Sequence, residues 1–216
     1  MSAVGTEKAV REGSLVKRRA ILAAARELFL RHGVDRVSMD AIAAQAAVSK
    51  RTVYDYFGDK RRLFLAILSD AAESLNASVR RVVDTYLADD AGITTVPQLE
   101  EALTAAAIDL GTTMLGSADY AAVFALVIQQ RWQSPETDDD LPTAAAQEAL
   151  AERITHFADA GLLDTDNPLL AAGHFAALTI LLAFDEQPNP ARTDLGRVRQ
   201  GMIDGVHAFV RAYGAR

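Results

Sequence analysis

The stretch Val37–Lys60, VSMDAIAAQAAVSKRTVYDYFGDK, decides how the rest of this chain is read. Ser38 is a good helix N-cap, and Asp40 just inside the helix suits the positive end of its dipole. The helix so opened, Met39 to Ala46, has Ile42 and Ala46 on one face with Ala43 between them. Ala47-Val48 makes a tight connection, and Ser49 is a second N-cap. The next helix, Lys50 to Phe57, places Val53 and Phe57 four residues apart as its inward face. Its other face offers Lys50, Arg51, Thr52, Tyr54 and Asp55. Two short helices, a tight corner and a polar second helix with basic residues at its start predict a helix-turn-helix.

The flanks extend the pattern. Arg18–Gly33, RRAILAAARELFLRHG, and the run SKRTVYDYFGDKRRLF from Ser49 bracket the unit. Together with VSMDAIAAQAAVS they resemble the DNA-binding domain of the TetR family of bacterial transcriptional regulators, as its first helix, second helix and turn, recognition helix and start of the fourth helix. Ala47 departs from the pattern, since glycine is usual at that turn. If the position needs positive φ, alanine costs on the order of 1 kcal/mol.

At 216 residues, with half of them apolar and only 13 Gly and 6 Pro, the chain has a globular composition and length for one substantial core or a small domain fused to a larger one. There is no cysteine, which excludes a disulfide scaffold and thiolate metal sites and suits a reducing cytosol. The first residues carry charges but no apolar core, so no signal peptide is read there. The expectation is a cytoplasmic protein, nucleoid-associated when on DNA. The net charge of −7 is an average of opposites: residues 1–62 hold 13 Lys/Arg and 7 Asp/Glu, a net of +6, whereas residues 63–216 hold 9 and 22, a net of −13. A basic head on an acidic body is the asymmetry expected of a protein that meets a polyanion at one end.

Along the chain, residues 1–14 are short of apolar side chains and read as a disordered tail with basic residues. The DNA-binding head is drawn over 15–62 and a ligand-binding and dimerisation body over 63–216. Ile21, Ala25, Leu28 and Phe29 give the first helix its period, and Gly33 ends it. A longer helix starts at Leu63 and runs to about Tyr86. Further helices are expected near Gln98–Leu115, Ala118–Gln133 and Ala144–Ala160. Pro168–Phe184 is apolar nearly all round, but a membrane span takes ~20 residues and usually basic flanks, so a bundle helix buried on both sides is preferred. The last helix, about Thr193–Tyr213, carries Gly201 and Gly205 four residues apart, which would let another helix approach closely. No stretch has a strand period. The fold class is all-α, about nine helices in a helix-turn-helix domain followed by a helical bundle.

Several clusters invite chemistry that the spacing does not support. Asp138-Asp139-Asp140 is a solvated acidic loop, because adjacent carboxylates in a helix do not converge on one point. His156 and Asp159 lie one turn apart, a common pairing. The four histidines sit in no metal-binding spacing, and no G-x-S-x-G, phosphate loop or dinucleotide fingerprint occurs. No catalytic residue, metal or cofactor is expected, and an α-helical enzyme is the last of three readings.

For the head, groove geometry brings Ser49, Lys50, Arg51 and Thr52 to the DNA, with Arg51 or Lys50 reading guanine and Thr52 meeting a thymine methyl. Ser38 would hold a phosphate. The resemblance adds Tyr54 and Tyr56 as partial phosphate contacts and Lys60 as a backbone contact. It also implies a homodimer on a palindromic operator in double-stranded DNA, joined through the last two helices. Leu178, Leu181, Leu182, Gly201, Gly205, Val206 and Phe209 are the expected interface. The resemblance further implies a pocket for a small effector. Met114, Tyr120, Phe124, Trp132, Phe157, His174 and Phe175 are its candidate lining, which suits an apolar or aromatic molecule. A repressor released by such an effector is the leading reading. A helix-turn-helix protein whose body only dimerises is the alternative.

Overall fold

The computed structural model describes residues 3–117, 144–185 and 194–216. The expected helix at Ala118–Gln133, the Asp138–Asp140 run and the candidate lining residues Tyr120, Phe124 and Trp132 lie outside them. Among the described residues the chain is all α-helical, apart from one isolated bridge pairing Leu163 with Gly214. It divides into two compact units, with the border after Ala71.

The first unit holds α1 (Ala3–His32), α2 (Met39–Gln45), α3 (Lys50–Phe57) and the start of α4 (Lys60–Tyr86). Helix α1 begins at Ala3, within the stretch expected as a tail. Residues 3–14 lack an apolar stripe, so burial gives no signal there. They are nevertheless rich in helix formers such as Ala9, Glu7, Lys8 and Arg11, and extending an existing helix avoids the cost of nucleating one. Gly33 closes α1 at φ 81°, its amide on the Phe29 carbonyl at 2.8 Å. The core joins Ile21, Ala25 and Phe29 of α1 to Ile42 and Ala43 of α2, Val53 and Phe57 of α3, and Leu63, Phe64, Ile67 and Leu68 of α4. Phe29 meets Phe64 edge-on with ring centres 6.2 Å apart. Because Phe64, Ile67 and Leu68 belong to this core, the unit extends past the border drawn at 62.

The second unit holds the rest of α4 and α5 (Val96–Gly116), α6 (Ala144–Asp159), α7 (168–185) and α8 (Leu195–Tyr213). Thr95 and Gln98 cap the start of α5 reciprocally, each side chain accepting from the other's end of the first turn. Helix α7 is an α-helix over Pro168–Ala176, a π-helical turn over Ala177–Leu181 and a last α-turn over Leu182–Asp185. The Leu182 amide reaches back to the Ala177 carbonyl, and the buried Thr179 hydroxyl donates to the Phe175 carbonyl at 2.7 Å.

Two glycines decide how α8 packs. A Cβ on Gly205 would lie 2.1 Å from the Leu178 carbonyl oxygen, so α8 presses its backbone against the π-turn of α7. A Cβ on Gly111 would meet the Met202 side chain, which fixes the α5–α8 crossing. Around these crossings Leu99, Leu103, Ile154, Phe175, Met202, Val206 and Phe209 form the core. Arg81 of α4 grips Asp109 of α5 with two hydrogen bonds of 2.8 Å, and Tyr86 donates to the same carboxylate at 3.1 Å. These donors hold the Asp109 carboxyl below the usual carboxylate range, the Arg81 hydrogen bond being the largest cause.

Candidate nucleic-acid interface

The corner between α2 and α3 is set by its caps. Ser38 accepts from the Ala41 amide at 3.1 Å and Ser49 from the Thr52 amide at 3.0 Å. Between them Ala47 sits at φ 53°, the left-handed conformation that glycine adopts freely. The Val48 amide closes the turn onto the Ala43 carbonyl at 3.0 Å. Val53 and Phe57 face the core, which turns the opposite side of α3 to solvent.

That exposed side does not offer its residues equally. Arg51 is 90% exposed, and its Nε lies 3.7 Å from Asp55 one turn on, a loose pair that leaves the guanidinium available to a groove. Tyr54 is 43% exposed. Thr52 is half-buried, with its hydroxyl 2.8 Å from that of Ser49. Lys50 is engaged: its ammonium lies 2.8 and 3.0 Å from the two Asp40 oxygens on α2, and 6.0 Å from the Tyr54 ring centre. The hydrogen bond and charge of Asp40 raise its pKa, so it stays a cation facing a carboxylate.

Two expected phosphate contacts are occupied within the protein. The Tyr56 hydroxyl donates to the Ser14 carbonyl at 3.0 Å and lies 2.7 Å from the Ser14 hydroxyl, so it ties α3 to α1. Lys60 donates to the carbonyls of Asp35 at 2.9 Å and Val37 at 3.2 Å, which braces the loop before Ser38. An ammonium has three protons, and one remains for an outside acceptor. Sequence reasoning missed Asp40 and Ser14 as partners; Asp40 was read only as a charge near a helix terminus.

The candidate effector residues are only partly brought together. Met114, Phe157 and Phe175 are buried in the core of the second unit. His174, expected as the polar group of an apolar lining, lies on the exposed side of α7 with Nδ1 2.5 Å from the Tyr213 hydroxyl. The periodicity of a nearly all-apolar run does not say which way its histidine faces.

The dimer candidates split as well. Val206 and Phe209 are fully buried in the chain's own core, and the face of Gly205 is filled by the Leu178 carbonyl of the same chain. Leu178 and Gly201 are half-buried. Leu181 and Leu182 are 46% and 51% exposed, as are Leu169, Leu170 and Leu195 to a similar degree. The apolar run of α7 is thus not covered on both sides within one chain.

A capped two-helix corner with a solvent-facing second helix and a separate all-α body define the class of helix-turn-helix regulators. Residues 21–67 match the family described as bacterial regulatory proteins, tetR family, and residues 101–215, more than half of the chain, match the AefR-like transcriptional repressor C-terminal domain. The chain belongs to the TetR family of bacterial regulatory proteins. Among its relatives, the transcriptional activator FasR of Mycolicibacterium smegmatis is 38% identical over 69 residues, which cover 32% of this chain and 32% of FasR. The chain therefore spans about a third of the length of the curated relatives it matches. Solved structures agree over far more of the chain. A protein described as a TetR-family transcriptional regulator from Mesorhizobium loti matches with a TM-score of 0.74 at 25% identity, covering 94% of this chain and 98% of its own. The flavonoid-responsive regulator FrrA matches with a TM-score of 0.66 at 26% identity, covering 93% and 98%.

Proposed function

We propose that this chain is a transcriptional repressor that binds a palindromic operator as a homodimer and is released by a small apolar or aromatic effector. The observation that carries the DNA-binding part is Arg51, standing almost fully exposed near the start of a recognition helix whose other face is locked into the core. A guanidinium so placed can reach guanine O6 and N7 in the major groove. Ser49, Thr52 and Tyr54 flank it. Lys60, with one proton to spare beside Ser38, is the phosphate contact that orients the head.

One such head reads too few base pairs for strong discrimination, so a two-fold dimer is the working unit. Its surface in this proposal is Leu181 and Leu182 of α7, with Leu178 and Gly201 at the margin. The repressor sign follows the AefR-like repressor match of the body, against FasR, which is an activator. The effector class follows the apolar candidates of the body and the flavonoid-responsive likeness. A second reading, a body that only dimerises, is favoured by the exposed position of His174. No described helix is long and apolar enough to cross a membrane, and the proposed site of action is the cytoplasm.

The test is Arg51→Ala, measured by fluorescence anisotropy on an operator duplex selected by the wild-type chain from a random-sequence pool and on random DNA. Loss of a base contact costs ~1–3 kcal/mol on the cognate site and little on random sequence. Equal losses on both would make Arg51 a phosphate contact. Release of the operator by flavonoid-like aromatics separates the two readings of the body.

A further inference from the structure

The Lys50–Asp40 pair joins the first residue of the recognition helix to the helix before it, and nothing in the proposed binding mode accounts for it. Lys50 is the first residue of α3, where a cation is poorly placed with respect to the helix dipole. It faces the Asp40 carboxylate with both oxygens within 3.0 Å. Arg51, one residue on, has only the 3.7 Å approach to Asp55. Two basic side chains that are adjacent in sequence therefore differ in what they can offer a duplex.

We infer that Asp40 is a specificity-determining positioning residue: by holding Lys50 on the protein it keeps that ammonium off the DNA backbone and leaves base reading to Arg51. This rests on the DNA-binding reading above. The physical point is the separation of two kinds of attraction. A lysine on a phosphate releases counterions from any sequence equally, so it raises affinity for random DNA as much as for an operator. An arginine on a guanine edge gains only on the right base. Pairing Lys50 inside the protein removes the first kind of contact and preserves the second. The carboxylate is suited to the task because it lies on α2, whose position against α3 is fixed by the shared core of Ile42, Ala43 and Val53. The Tyr54 ring, its centre 6.0 Å from the ammonium, packs against the same lysine.

The experiment measures binding of the full chain to a random-sequence duplex and to the selected operator duplex, over a range of about 50 to 200 mM salt. In Asp40→Asn, Lys50 is released to a phosphate in each head of a dimer. The slope of log affinity against log salt on random DNA then steepens by about 1.8, at ~0.9 per contact, roughly a twelvefold larger loss over that range. The ratio of operator to random affinity falls. Asp40→Glu keeps the wild-type slope, Lys50→Ala alone leaves the random-DNA slope unchanged, and Asp40→Asn has no effect when added to Lys50→Ala. Thermal melting of each variant checks that the fold is intact. An unchanged slope in Asp40→Asn overturns the inference, and so does a slope change that persists without Lys50, since Asp40 would then act by repelling DNA on its own. Failure of the wild-type chain to bind either duplex is a different result, and it removes the DNA-binding reading itself.

Discussion

Gly205→Ala tests the packing of the body at its tightest point. The added Cβ would lie 2.1 Å from the Leu178 oxygen and 2.7 Å from its carbonyl carbon, where real Cβ contacts stay above 3.0 Å. Those atoms are backbone in a π-turn, so no rotamer change relieves them. Helix α8 must retreat by nearly 1 Å, and a gap of that size forfeits a quarter to a half of the dispersion energy of the contacts it opens. The nearest to suffer are Val206 and Phe209, both fully buried. Overpacking of this kind costs ~1–3 kcal/mol and occasionally more, while alanine returns about 1 kcal/mol of helix propensity. The backbone clash puts the cost at the upper end, for a net loss of about 2 kcal/mol. At 2–4 °C per kcal/mol for a chain of this size, Tm falls by roughly 4–8 °C. Gly111→Ala is the internal control. Its Cβ would come within 1.9 Å of Met202 Cε, but that atom ends a flexible side chain that can move aside. Melting should be followed by circular dichroism at matched concentration, since the proposed dimerisation would make Tm concentration-dependent. If Gly205→Ala melts at or above the wild type, or if both variants lose the same amount, the backbone-clash reasoning is wrong.

Ala47→Gly should stabilise the head. Leaving φ 53° to alanine costs about 1 kcal/mol, part of which glycine gives back in unfolded-chain entropy, so a gain of about 0.5 kcal/mol is expected in the urea midpoint; a lower midpoint refutes it. Asp109 has its pKa depressed by Arg81 and its neighbours, so its contribution is complete above the ordinary value near 3.9 and is lost as pH falls through the lower folded one. The stability gap between wild type and Asp109→Asn should therefore hold constant from pH 5 to 7 and narrow below about pH 4; a gap independent of pH would rule out the clamp as drawn. The pair Leu181→Glu and Leu182→Glu should give monomers in sedimentation with helix content unchanged, and a surviving dimer places the interface elsewhere. Val206 and Phe209 are unsuitable for that test, because changing them damages the core first.

The capped corner of the head was legible from residue order alone. Serine caps at 38 and 49, apolar residues four apart, Gly33 at a helix end and the suspect Ala47 are decided within a few residues of chain, by capping, period and backbone sterics. The all-α class followed for the same reason: burial periodicity is a short-range property of the sequence. The length of α1 escaped because its first residues carry no apolar period in the sequence. What tertiary structure alone decided is which partner each side chain finds. Gly201 and Gly205 announced a close helix approach, but the helix that fills Gly205 is α7 of the same chain and not a second copy. His174 stands outside a run whose composition placed it inside. Lys50, Arg51, Tyr56 and Lys60 are equal in the sequence as polar groups near a recognition helix. In the fold Asp40 engages the first, Ser14 the third, and two backbone carbonyls the fourth, while Arg51 keeps only a distant carboxylate. Periodicity records that a face is buried or exposed, whereas partner choice depends on distances between segments far apart in the chain.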